Sequence, residues 1–140
     1  MNPEQTKRYI RQIKLPQVGE TGQKRLLDAR VLIIGIGGLG SPVSMYLTAA
    51  GIGHLVISDY DRVDESNLQR QIVHTQASIN ELKATSARDS LLRLNSAVSI
   101  DALNYELDDE ELYKQVKQAD VVVDCTDNFP SRFELNRVSL

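Results

Sequence analysis

The chain has 140 residues, 41% of them hydrophobic and 25% charged, enough to build one globular core and no more than one domain. Its net charge of −3, with no long basic run, argues against nucleic acid as a partner, and no apolar run approaches the ~20 residues that span a bilayer. The opening "MNPEQTKRYIRQ" lacks an apolar signal core, and the single cysteine, Cys125, can neither close an internal disulfide nor hold zinc alone, so the expectation is a soluble cytoplasmic α/β protein without a membrane role.

The stretch to Asp28 reads as helical with a break around Pro16 to Gly19, and Ile10, Ile13 and Leu15 give it an incomplete apolar stripe. It is taken as a helical extension, 1–28, ahead of an α/β domain, 29–140. Val31 to Ile34 is a continuous apolar run, the pattern of a strand buried on both faces. Leu39, Val43, Tyr46, Leu47 and Ala50 recur at helical spacing and predict the buried face of the next helix, which "AGIG" ends. "HLVISD" predicts a second buried strand ending at Asp59, and Asp61 to Gln71 a polar loop with a short helical turn. Ala84, Ala87, Leu91 and Leu94 mark another helix face. "AVSIDALNY" predicts a third strand, "DDEELYKQVKQ" a helix with acids first and lysines last, "DVVVDCTD" a fourth strand, and a further helix starts near Asn128.

Strand and helix alternate four times, which predicts a Rossmann-like, doubly wound, mainly parallel sheet with right-handed crossovers. The sequence stops at Leu140 inside a helical pattern, and such a domain carries more strands after the fourth. The expectation is the N-terminal part of a longer domain.

Gly35, Gly37 and Gly40 form G-x-G-x-x-G, with Gly38 between them, leaving a strand and opening a helix. Glycines let the backbone approach a phosphate, and the helix N-terminus offers N–H groups and a positive dipole end. Asp59, 19 residues after Gly40, ends the next strand, where a carboxylate accepts ribose hydroxyls. The motif predicts a nucleotide but leaves open whether it is a nicotinamide cofactor or one whose phosphate is attacked.

Two polar clusters fall beyond the strand ends: "SNLQRQ", with Asn67, Arg70 and Gln71, and "DCTDN", with Asp124, Asp127 and Asn128. Hydride transfer needs an apolar face for nicotinamide. Phosphoryl or nucleotidyl transfer needs arginines for phosphate oxygens and a carboxylate for magnesium. Each residue also has a plainer reading. Arg70 can be a surface ion pair, Asp127 the N-cap of the following helix, and Lys83 an exposed helix lysine. Cys125 reads as a small buried residue.

"RYIRQ", "GIGGLG", "SDYD", "SNLQRQ" and "DCTDN", in this order and spacing, resemble the ThiF/MoeB/HesA family of adenylyltransferases, which is related to the adenylation domain of ubiquitin-activating enzymes. The resemblance covers the whole chain. It implies an enzyme that binds MgATP and adenylates the C-terminal glycine of a ubiquitin-like sulfur carrier protein ending in Gly-Gly, in thiamine or molybdenum-cofactor synthesis. By motif, Gly37, Gly38 and Gly40 would cradle ATP, Asp59 and Asp61 would lie at the nucleotide, Asn67 and Arg70 would face the phosphates, and Asp127 would bind Mg²⁺. Arg11 would reach the phosphates from the other subunit of a homodimer, and Lys83 would contact ATP. "NELK" lacks the proline that commonly precedes the family lysine. The family's carrier-binding region, its crossover-loop cysteine and its paired C-x-x-C ligands for Zn²⁺ have no counterparts in this sequence. The 140 residues alone are therefore expected to lack adenylation activity. The rival readings are an NAD-binding oxidoreductase module and a non-enzymatic nucleotide-binding module.

Overall fold

The computed structural model describes residues 1–127 and 129–139, and in it strands and helices alternate as the periodicity predicts. Helices α1 (Pro3–Ile13) and α2 (Gly19–Asp28) precede β1 (Arg30–Ile34), α3 (Gly40–Ala50), β2 (His54–Ser58), α4 (Lys83–Leu94), β3 (Ser99–Leu103), α5 (Asp109–Gln118), β4 (Val121–Asp124) and α6 (Phe129–Ser139). Local chemistry starts the helices. Asn2 and Gln5 form a reciprocal capping box around Pro3 at the head of α1, and Asp108 accepts from the Glu111 amide at the head of α5. No helix among the described residues is long and apolar enough to cross a membrane.

The four strands are parallel, in the order β3-β2-β1-β4. Val31 stands opposite Leu55 on one side and Val121 on the other. The chain steps outward from β1 to β2 and β3, then returns across β1 to β4. Right-handed crossovers then put α3 and α4 on one face and α5 on the other. The packing agrees, with α3 against α4 and α5 against α6. Covered on both faces, Leu32, Ile33, Leu55, Val56 and Ile57 are fully buried. The reversal of strand order leaves a crevice at the carboxyl ends of β1 and β4, where ligands bind in such sheets.

Three expected apolar faces differ in detail. On α3 the residues facing inward are Gly40, Ser41, Ser44 and Thr48, while Leu39 and Tyr46 are 58% and 78% exposed. Val43 and Leu47 are only partly buried against the core. The reason is distance: the helix starts so close to the turn before it that a β-carbon at Gly40 would stand 2.1 Å from the Gly35 carbonyl oxygen, so only small side chains fit the inner face. On α4, Ala84, Ala87 and Leu91 are buried as expected, but Leu94 ends the helix exposed and Ser86 takes an inner position.

In the N-terminal helices the anchor is polar rather than the Ile10–Ile13–Leu15 stripe. Leu15 is exposed, whereas Tyr9 and Gln23 are buried. Gln12 and Gln23 both donate to the Ala50 carbonyl, at 3.0 and 3.1 Å, and tie α1 and α2 to the C-terminal end of α3.

Candidate active site

The turn after β1 assigns its glycines two different jobs. Gly35 has φ +90°, and a β-carbon there would stand 2.8 Å from the Cys125 carbonyl oxygen, wedged against the end of β4. Gly35 and Gly40 are thus demanded by the protein's own backbone. Gly37 and Gly38 instead face side chains. A β-carbon on Gly37 would lie 3.2 Å from Gln71 Nε2, and one on Gly38 would lie 3.9 Å from Arg70 Cδ and Nε. The structure therefore brings the "SNLQRQ" cluster over the two inner glycines, beside the positive end of α3.

The residue between the first two glycines is held from both sides. The Ile36 N–H donates to Asp59 Oδ2 at 2.9 Å, and the Ile36 carbonyl accepts from His74 Nε2 at 3.0 Å. Asp59 Oδ1 also accepts from the Asp61 amide at 2.8 Å. His74 Nδ1 accepts from the Ser86 hydroxyl at 2.8 Å. His74 is buried, and burial pushes its pKa below the ordinary 6.5; its bond to Ile36 opposes the shift, nearby Lys83 adds to it, and Asp59 opposes it. Sequence reasoning missed His74. Its only signal is a lone histidine beside the apolar Ile72–Val73 pair.

The loop between β2 and α4 is ordered by its own caps. Asp64 accepts from the Ser66 amide, and Asn67 Oδ1 accepts from the Asp64 amide at 2.9 Å. The Asn67 oxygen is thereby committed, which leaves its NH₂ group to donate to a ligand. Arg70 is exposed, and among the described residues its guanidinium donates to the Ser66 carbonyl, at 3.3 Å. Among the described residues it forms no ion pair, so the plainer reading of it as half of a surface pair fails. Lys83 begins α4, its backbone N–H donating to the Asp61 carbonyl at 2.9 Å. It is 8% exposed, not the exposed helix lysine that was the plainer alternative.

At the end of β4, Asp124 Oδ1 accepts from the Thr126 amide and hydroxyl at 3.0 and 2.6 Å, closing a local turn. Cys125 is buried, and burial, aided by Asp124, raises its thiol above the ordinary 9.0. Asp127 is exposed. The helix α6 begins at Phe129, and Asn128 lies outside the described residues. Tyr60 stands just beyond the end of β2. Its pKa rises above the ordinary 10.0 chiefly through the negative charge of Glu106, then burial, then Asp61, Asp59 and Asp127 in turn. Carboxylates from the ends of β2, β3 and β4 therefore share one electrostatic neighbourhood. Among the described residues no three His, Cys, Asp or Glu side chains are grouped to hold a metal. Asp127 still suits magnesium, which takes one or two carboxylates and completes its shell with phosphate and water.

One expected residue is not brought to the turn. Arg11 is exposed on α1 between Tyr9, which lies against Gly51, and Gln12, which is bonded to Ala50. Both anchors are at the far end of α3, whose 11 residues rise about 16 Å.

The ThiF family profile matches residues 9–140. The chain belongs to the ThiF family. This ThiF-family chain is 48% identical over 129 residues to the molybdopterin-synthase adenylyltransferase of Escherichia coli K12, covering 92% of this chain and 52% of that protein. It is 47% identical over 136 residues to the sulfur carrier protein ThiS adenylyltransferase of the same strain, covering 97% of this chain and 54% of that protein. The chain spans about half the length of these two relatives and about a third of longer ones. In fold it resembles the E. coli tRNA N6-threonylcarbamoyladenosine dehydratase solved in complex with ATP, with a TM-score of 0.88 at 22% identity over 96% of this chain and 55% of that one.

Proposed function

We propose that the chain is the nucleotide-binding part of an ATP-dependent adenylyltransferase that activates the C-terminal glycine of a ubiquitin-like sulfur carrier protein ending in Gly-Gly. Residues 1–28 are its helical extension and 29–140 the nucleotide-binding region. The observation that carries the reading is Arg70, free of any carboxylate partner among the described residues and laid over Gly38, where phosphate oxygens would take the place an acid does not. The names of the two adenylyltransferase relatives support it. A nicotinamide module shares the glycine turn and Asp59 but gives no joint role to "RYIRQ", "SNLQRQ" and "DCTDN".

In the reaction a carrier carboxylate oxygen bonds to the α-phosphorus of ATP, the bond from that phosphorus to the bridging oxygen breaks, and pyrophosphate leaves with its electron pair. The attacking carboxylate is already ionised near neutral pH, so no general base is required. The difficulty is bringing an anion to a polyanion. Arg70 and Lys83 answer it with charge, and the glycine turn, Asp59, Asp61 and Asn67 answer it by orientation. Magnesium, held at Asp127 with phosphate oxygens and water, would supply further charge neutralisation.

The functional unit is a homodimer. Arg11 lies about one helix length from its own turn, so it serves the site of a second copy. The exposed Leu39–Tyr46 edge of α3 is an apolar surface for such a copy. Two copies packing α3 against α3 in antiparallel fashion would set each Arg11 end beside the other's turn.

Two measurements test the reading. Calorimetric titration of the 140-residue chain should show binding of MgATP and not NAD, and NAD binding without MgATP binding would overturn it. The full-length protein should exchange labelled pyrophosphate into ATP only when supplied with a carrier ending in Gly-Gly.

A further inference from the structure

From the clamp on Ile36 we infer that His74 is a positioning residue of the nucleotide site: its Nε2–H holds the glycine turn in the conformation that aims the Gly37 and Gly38 amides at phosphate. This rests on the nucleotide-binding reading above but names a residue outside the phosphate-facing set.

The geometry allows one arrangement of protons. A carbonyl oxygen only accepts, so the 3.0 Å approach to the Ile36 carbonyl requires the proton on Nε2. Nδ1 is then bare and accepts from the Ser86 hydroxyl at 2.8 Å. Ser86 lies on the inner face of α4, so a chain of two hydrogen bonds runs from α4 through the imidazole to the turn. Asp59 holds the other side of the same residue at 2.9 Å. Ile36 is itself fully buried, so its peptide groups have no water to turn toward. With both ends of Ile36 bound, the orientation of the next peptide, which carries the Gly37 N–H, is set before a ligand arrives. A ligand then finds donors already aimed and spends no binding energy ordering them. The charged groups around the ring are Lys83, at the head of α4, and Asp59, at the end of β2.

The decisive comparison is His74→Phe against His74→Gln. Phenylalanine keeps a ring of similar size and removes the donor. Glutamine places an N–H near the site of Nε2. At a temperature well below unfolding, His74→Phe should weaken MgATP binding about tenfold, the equivalent of one neutral hydrogen bond, and His74→Gln should restore it to within about threefold of the parent. A merely structural histidine would lower the melting temperature in both variants and leave MgATP affinity unchanged in the folded fraction; that result overturns the inference.

Nitrogen-15 spectra of the histidine rings add a test independent of ligand. The chain has only two histidines, His54 and His74, so assignment is direct. His74 should show the Nε2–H tautomer, and a proton on Nδ1 would sink the proposal. If His74→Phe does not fold, Ser86→Ala replaces it: losing the hydroxyl frees the tautomer choice, and MgATP affinity should fall with the Nε2–H population. If the parent chain binds no MgATP, the proposed function fails. Hydrogen exchange at the Gly37 and Gly38 amides then decides this inference alone, with faster exchange expected in His74→Phe and unchanged exchange counting against it.

Discussion

Asn95 donates its side-chain amide to the phenol oxygen of Tyr9 at 2.9 Å, across 86 residues of sequence. The same nitrogen donates to the Thr48 carbonyl at 3.0 Å, so one buried side chain joins α1, α3 and the end of α4. Asn95→Ala would leave the buried Tyr9 oxygen without a donor and the Thr48 carbonyl with the Gly51 amide alone, and the expected loss is about 1–3 kcal/mol of unfolding free energy. Urea unfolding of the variant checks this; a loss under about 0.5 kcal/mol, the range of an ordinary surface change, would mean that water replaces the amide.

Asp127→Ala separates chemistry from folding. Asp127 is exposed, so its loss should change stability by no more than about 1 kcal/mol, the worth of a helix cap. In the full-length enzyme the same change should slow carrier-dependent pyrophosphate exchange about a hundredfold or more, since charge neutralisation at the phosphates is worth several kcal/mol. A melting temperature that collapses while exchange per folded molecule is unchanged would make Asp127 a structural residue only.

Stability should respond to acid through His74. Its folded pKa lies below the ordinary 6.5 because burial opposes the charge. Above pH 6.5 the ring is neutral in both folded and unfolded chains and contributes no slope. Below 6.5 the unfolded chain takes up a proton that the folded one refuses, so stability falls with pH until the lowered folded pKa is reached, and levels off beneath it. Urea midpoints measured across this window should drop in the parent chain and drop less in His74→Gln, which cannot titrate.

Arg11→Ala and Arg70→Ala should each abolish exchange in the full-length enzyme, and mixing the two should recover part of it. In a mixed dimer the subunit that lacks Arg11 keeps its own Arg70 and receives Arg11 from its partner, which builds one intact site. The other site carries both lesions. Once subunit exchange is shown by mass, failure to recover activity would put Arg11 outside the neighbouring site.

What the sequence reveals and what it hides follow from distance along the chain. The strands are legible because burial on both faces writes Val, Leu and Ile in unbroken runs, as at Leu32–Ile33 and Leu55–Ile57. The ligand side of the sheet, beyond the strand ends, follows from strand alternation and the glycine turn from its spacing, whereas the strand order that opens the crevice is seen only in the structure. The inner face of α3 is hidden because hydropathy ranks Leu39 and Tyr46 above Ser41, Ser44 and Thr48, while the close approach at Gly40 reverses that order. The burial of Lys83 is equally silent, since a lysine at the head of a helix reads as exposed from sequence alone. Asp59 is visible as an acid at a strand end, but its grip on the Ile36 amide is not, because that bond joins residues 23 apart. His74 is harder still: its partners, Ile36 and Ser86, lie on opposite sides of it in sequence, Ile36 is an unspecified position of the glycine motif, and Ser86 belongs to no motif.

The strand order has a bearing on how the chain folds. Val31 finds Leu55 after 24 residues but Val121 only after 90, by subtraction of the paired numbers. Closing the longer loop costs about 1.2 kcal/mol more in chain entropy by the logarithmic law. Strands β1, β2 and β3 can thus assemble while the ribosome is still extending the chain, and β4 joins last. Among the described residues β4, like β3, pairs with one neighbour, and its ladder has four residue pairs against the five that join β3 to β2, so it has the least to lose on opening. Native-state hydrogen exchange should find the backbone amides of Val122 and Val123 opening at lower free energy than those of Leu55 and Ile57, and equal opening energies would mean that the sheet comes apart as a single cooperative block.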